Sequence, residues 1–98
     1  MFGTIARFRL LPGKEKELQA LFEEYRQARF KGLVAEHIYR TDADPGVYFM
    51  AVIFESRAAY FANADSPDQD ARYRKFRALL AEDPEWHDGE IVDSLVPA

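Results

Sequence analysis

The sequence contains no cysteine. That one absence excludes disulfides, thiolate metal sites and cysteine nucleophiles, and it agrees with a reducing compartment. An excess of basic charge is also missing, since 13 Lys and Arg stand against 17 Asp and Glu. The two signs are interleaved, with Arg7 and Arg9 answered by Glu15, Glu17, Glu23 and Glu24. A surface that tracks phosphates needs clustered Lys and Arg, so nucleic acid is not an expected partner. No apolar stretch approaches the roughly 20 residues that cross a bilayer. The start, Met1-Phe2-Gly3-Thr4, lacks the basic opening and long apolar segment of a signal peptide. The expectation is a cytoplasmic protein with no membrane partner. Chemical signatures are equally scarce. There is no Gly-rich loop for a dinucleotide or phosphate, no close spacing of metal ligands and no nucleophile elbow. No cofactor and no metal are therefore expected, and the chemistry must need little machinery or be absent.

What is present is apolar and aromatic. Hydrophobic residues make up 48% of the 98 positions and aromatics 14%, enough for a real core and against disorder. The length is that of a single domain spanning 1–98. Residues 2–10 are rich in β-formers, with Arg7 and Arg9 on the opposite parity from Phe8 and Leu10, and read as a strand. After Pro12-Gly13 the period changes. Leu18, Leu21, Phe22 and Tyr25 fall on one face of an amphipathic helix over 14–30, with Gly32 just past its end. Residues 33–41 alternate as a second strand, the Asp-Ala-Asp-Pro-Gly run at 42–46 is a turn, and 47–54 form a third strand. Ser56 is placed to cap a short helix carrying Tyr60 and Phe61, broken at 63–65. Ser66-Pro67 opens another, expected to run to Glu82 with Tyr73, Phe76, Leu79 and Leu80 on one face. A last strand is expected within 86–96.

This order predicts an α+β, ferredoxin-like βαββαβ fold with a four-stranded antiparallel sheet and the helices on one side. The third strand, Val-Tyr-Phe-Met-Ala-Val-Ile-Phe, is uncharged and apolar on both parities. Such a strand must be covered on both faces. Since no spare segment is long enough, the economical cover is a second copy, sheet against sheet. At ~25 cal/mol per Å² of apolar area such a contact supplies many kcal/mol before association costs. The pattern therefore predicts a homodimer.

Several stretches resemble the antibiotic biosynthesis monooxygenase family. They are Thr-Ile-Ala-Arg-Phe-Arg-Leu-Leu-Pro-Gly at 4–13, Gly-Leu-Val-Ala at 32–35, the strand end Tyr39-Arg40 and the Asp-Pro-Gly turn. Phe54-Glu55-Ser56, Ala59-Tyr60-Phe61 and Ser66-Pro67 resemble the family's next region. The likeness runs along nearly the whole chain. It implies ferredoxin-like units paired into a dimeric α/β barrel, and oxygenation of aromatic polyketides or quinols without metal or flavin. In that chemistry an electron-rich phenol loses a proton and its anion reduces oxygen, so the protein supplies an apolar pocket, a proton acceptor and donors for the anion. This chain departs from the pattern where it has Phe54 for Trp, and Asn63 and Asp68 for His. A haem-degrading branch relies on an axial His on the later helix. Residues 67–82 contain none, which argues against haem degradation.

Five residues form the expected site. His37, on the parity of Leu33, Ala35 and Tyr39, is the expected base; the alternative is a sheet histidine bonded to a neighbour. Asn63 is the second expected catalytic residue, donating its amide to a phenolate; it could equally cap a helix or hold a turn. Tyr60 and Tyr73 are expected substrate-binding residues or, at helical spacing, core. Trp86 is expected to wall an aromatic substrate or to anchor the sheet edge. His87, beside Asp88, reads better as an exposed strand entry. The alternative function is a non-enzymatic dimeric module that binds a small hydrophobic ligand, favoured by the replacement of family histidines.

Overall fold

A computed structural model describes residues 1–97. The chain runs β1 (Phe2–Arg9), α1 (Glu15–Ala28), β2 (Leu33–Arg40), β3 (Val47–Phe54), α2 (Arg57–Ala64), α3 (Pro67–Arg77) and β4 (Glu85–Glu90). The strands form one antiparallel sheet in the order β2-β3-β1-β4. This is the ferredoxin-like α+β arrangement, with the second helical region divided into α2 and α3.

Side-chain parity sorts the sheet into two faces. Ala6 and Phe8 of β1 lie in register with Met50 and Tyr48 of β3. These four are buried with Leu18 and Leu21 of α1 and Phe76 of α3. Phe8 is at the centre, 1% exposed, stacked on Tyr48 at 5.3 Å and edge-on to Phe76 at 4.9 Å. The opposite parity carries no helix. There Ile5 is 54% and Tyr39 59% exposed, and Tyr39 stacks on Phe49 at 5.7 Å. The third strand's two apolar faces thus have different fates in one protomer: one is core and the other is open.

Local signals explain the punctuation. Ser56 Oγ accepts from the Ala59 N–H at 3.1 Å and Ser66 Oγ from the Gln69 N–H at 3.2 Å, satisfying first-turn donors of α2 and α3. Pro67 follows the second cap, where its missing N–H costs nothing. The turn before β3 is held by Asp44, whose carboxylate accepts from Arg9 at 2.8 Å and from the Gly46 N–H at 3.0 Å. The hydrogen bond from Arg9 holds the Asp44 carboxyl below its usual range, and the Gly46 N–H adds to it. Gly32 sits at φ +81°, and its carbonyl accepts from the Glu55 N–H at 2.8 Å. A Cβ there would lie 2.8 Å from Ala59 Cβ, so Gly32 permits the close approach of this turn to the start of α2.

Two expected boundaries shift. Helix α3 stops at Arg77, short of Glu82. Leu79 and Leu80 leave it to meet β1's end: the Leu11 N–H donates to the Leu79 carbonyl at 2.8 Å, and Leu80 bridges Leu10. Leu80 is therefore core, at 3% exposure, through a tight turn after α3 that brings it against Leu10. Strand β4 ends at Glu90, and residues 91–97 have no regular structure. Val92, Leu95 and Val96 there are 86–93% exposed.

Candidate functional site

Between the sheet and the helices lies a cavity of about 330 Å³, at the small end of the ~300–1,000 Å³ typical of ligand pockets. The inward row of the sheet makes its floor: Thr4 from β1, Glu36 from β2, Met50, Val52 and Phe54 from β3, and Trp86 from β4. Phe22 and Tyr25 of α1, Tyr60 and Asn63 of α2, and Tyr73 and Phe76 of α3 close it from above. Trp86 is on the edge strand, 42% exposed, with its ring 6.3 Å from that of Tyr73. A space so walled by rings favours a flat apolar guest.

Four of the five sequence-expected residues, Asn63, Tyr60, Tyr73 and Trp86, line this one cavity. His37 does not. It pairs with Ala51, which in turn pairs with Ile5, so the three share the open face on the far side of the sheet. The reason is a β-bulge between Leu33 and Ala35. Leu33 lies opposite Phe54 and points inward, the bulge takes up Val34, and Ala35 restarts opposite Ile53 pointing outward. Simple alternation from Leu33 would have brought His37 inside; one extra residue exchanges it for Glu36. His87 pairs with Ile5 and lies on the open face too.

The polar groups of the cavity divide into committed and free. Tyr60 donates its hydroxyl to Asp88 Oδ1 at 2.8 Å, and burial together with that bond pushes its phenol up to about 12. The neighbouring Thr4 hydroxyl pulls slightly the other way but does not meet hydrogen-bond geometry with it. Tyr25 reaches the Arg72 carbonyl at a long 3.4 Å; burial first, and then the charge of Glu36, push it up to about 12. Both phenols are thus neutral donors at physiological pH. By contrast, the Asn63 side-chain amide and the Tyr73 hydroxyl make no hydrogen bond among the described residues. Thr4 Oγ1 is buried, in a residue 6% exposed, with no hydrogen-bond partner among the described residues. An unpaired buried hydroxyl costs about 1–3 kcal/mol. Thr4→Val is accordingly expected to raise stability by about 1 kcal/mol, read as a higher urea midpoint with unchanged slope, while weakening any ligand that would have satisfied the hydroxyl.

Glu36 was not singled out by the sequence, because its place inside depends on the bulge. Burial pushes its carboxyl above the ordinary range, with Arg26 opposing. It makes no ion pair or side-chain hydrogen bond among the described residues, since Arg26 pairs with Glu23. Among the described residues no group of three or more His, Cys, Asp or Glu is arranged to hold a metal ion.

The same architecture recurs in solved structures. SnoaB, a cofactor-independent oxygenase from Streptomyces nogalater, superimposes with a TM-score of 0.82 at 18% identity, covering 96% of this chain and 95% of its own. A Deinococcus radiodurans protein whose structure carries the antibiotic biosynthesis monooxygenase name gives 0.81 at 13% identity, covering 100% and 99%. A Bordetella bronchiseptica protein of the same designation gives 0.78 at 22%, covering 93% and 96%. At these identities the likeness shows the fold alone. No curated protein matches this sequence. The profile described as antibiotic biosynthesis monooxygenase, however, matches residues 1–78, four-fifths of the sequence, and the chain belongs to that family.

Proposed function

We propose that this protein is a homodimeric, cofactor-independent monooxygenase of an aromatic, quinol-type small molecule. The observation that carries the reading is the ring-lined cavity whose lining includes the uncommitted neutral donors Thr4 Oγ1, the Asn63 amide and the Tyr73 hydroxyl. An ionised quinol is its own reductant. Held against the ring walls of the cavity, with donors on its oxygen, it transfers electrons to dioxygen while the protein fixes its orientation and stabilises its anion. Membership of the family and the description of SnoaB as a cofactor-independent oxygenase support the same reaction class. One quinol and one dioxygen give one hydroxyquinone and one water: a ring C–H becomes C–OH, both phenols become carbonyls, and the O–O bond breaks.

A large surface for the chain's mass supports the dimer reading. The protomer exposes 6905 Å², about 1,200 Å² more than the roughly 5,700 Å² expected of a compact monomer of this mass. Its radius of gyration is 13.8 Å against about 12.6 Å expected. Ile5 and Tyr39 on the open sheet face and Val92, Leu95 and Val96 after β4 are among its exposed large apolar side chains.

The test uses 1,4-dihydroxynaphthalene and isotopically labelled dioxygen. Wild type is expected to place one labelled oxygen in hydroxynaphthoquinone and to form no peroxide. Asn63→Ala is expected to lower kcat/KM about 100-fold through loss of an anion donor. Quinone and hydrogen peroxide alone, as in uncatalysed oxidation, would rule the activity out. Tight binding without oxygen uptake would establish the non-enzymatic ligand-binding module instead.

A further inference from the structure

We infer that Glu36 is the proton acceptor of this cavity, taking the phenolic hydrogen of the bound molecule. The inference rests on the reading of the cavity as a phenol site and names the group that reading lacks, since His37 lies on the far side of the sheet. In the step, the phenol O–H bond breaks, its electron pair stays on the phenolate oxygen, and the proton moves to a Glu36 carboxylate oxygen. No other reactant is needed.

The first support is placement. The β-bulge after Leu33 turns Glu36 inward, opposite Val52 on the cavity floor. Bulges beside functional sites re-aim single side chains in this way. A carboxylate among Phe22, Phe30, Leu33 and Met50 has lost much of its hydration and gained no partner. Such a group is costly to keep unless it is used.

The second support is what surrounds it. From α1, Arg26 and the neutral Tyr25 bear on Glu36. From α2 come the neutral Tyr60 and Asn63, and from α3 the cavity-lining Asp70 and Tyr73, with Arg72 stacked over Phe30 at 4.6 Å. The facing position on β3 is Val52, without charge. No Lys, Arg or His lines the cavity. Glu36 and Asp70 are then the two ionisable acids in the wall, and Asp70 is committed to Arg74 at 2.6 Å. Burial raises the Glu36 carboxyl above its ordinary range, which favours its taking a proton, and the Thr4, Asn63 and Tyr73 side chains, without hydrogen bonds among the described residues, line the same cavity.

The test compares wild type, Glu36→Gln and Glu36→Asp with 4-nitrophenol, whose ionised form absorbs in the visible, and then with 1,4-dihydroxynaphthalene. Below the pH at which free 4-nitrophenol ionises, wild type is expected to bind it as the phenolate. Glu36→Gln should bind it as the neutral phenol, and Glu36→Asp should restore part of the visible band. Quinol turnover is expected to fall 10²–10⁴-fold in Glu36→Gln, with loss of the acidic limb of the kcat/KM profile. Folding is controlled within the same set. A carboxyl raised in the folded state binds its proton more tightly there than in the unfolded chain, so its charge burdens the fold above the folded value. Glu36→Gln should therefore melt at or above wild type at pH 7, the gap closing as pH falls toward the ordinary Glu value of about 4.3. The same bound spectrum in wild type and Glu36→Gln, or no binding of the probe, overturns the inference. A Glu36-dependent phenolate band without quinol oxygenation upholds the inference and rejects the monooxygenase reading; oxygenation indifferent to Glu36→Gln does the reverse.

Discussion

Replacing Phe8 by alanine is expected to lower the stability of the fold by about 3–5 kcal/mol, the range for deleting a buried ring. Phe8 is 1% exposed and joins the sheet to α3 through its stack on Tyr48 and its edge contact with Phe76. Few atoms around it can move to fill the gap. Tyr48 is hydrogen-bonded through its backbone into the centre of β3, and Phe76 is fixed by the last turn of α3. The total stability of a small domain is about 5–15 kcal/mol, so the loss is a large share of it. For a domain of this size the melting temperature should drop by on the order of 20 °C. Thermal unfolding by circular dichroism, at one fixed protein concentration because association adds apparent stability, reads the effect. A drop of only a few degrees would mean that the core relaxes around the site or that Phe8 is not its centre.

The fold was legible in the sequence because its signals are local and agree with one another. Ser56 and Ser66-Pro67 announce the starts of α2 and α3, and both caps form as the spacing predicts. Alternation in β1 and the apolar run of β3 mark both as strands, and both are strands of the sheet. The end of α3 was not legible. Leu79 and Leu80 continue its helical period, but the same side chains are needed at Leu10 and Leu11, and pairing with β1 prevails over helix propensity.

Placement in the cavity was legible for four residues and illegible for the fifth, for one physical reason. Asn63, Tyr60 and Tyr73 sit on helices whose starts are fixed by the Ser56 and Ser66 caps, so their phase is set locally. Trp86 is held by its register with Ala6. β2 has no such redundancy. It is an edge strand, its apolar residues fall on both parities, and nothing in Leu33-Val34-Ala35 marks a bulge. A single inserted position inverted the faces, sending His37 out and Glu36 in. Glu36, which simple periodicity would place in solvent, is thus a cavity residue without a hydrogen bond or ion pair among the described residues.

Ile5→Glu is expected to convert a homodimer into a monomer while leaving the protomer folded. Ile5 lies at the middle of the open face, in register with Ala51 on one side and His87 on the other, and is 54% exposed in the single chain. In an isolated protomer a glutamate there reaches water, so the variant's circular dichroism spectrum should match wild type. Pressed against a second sheet, the same carboxylate loses hydration, and the nearest groups on its own face that could answer it are His37 and His87 in its row and Arg7 two positions along β1. A cost of about 2 kcal/mol per copy is modest for a buried interface position. A two-fold contact carries the substitution twice, so the dissociation constant should rise on the order of a thousandfold. Sedimentation velocity across a range of micromolar concentrations reads it directly. A variant that still sediments as a dimer would place the interface elsewhere, and the exposed Val92, Leu95 and Val96 beyond β4 would be the next surface to alter. A wild type that sediments as a monomer would leave the outer face of β3 uncovered, against the physical argument that a strand apolar on both sides needs two partners.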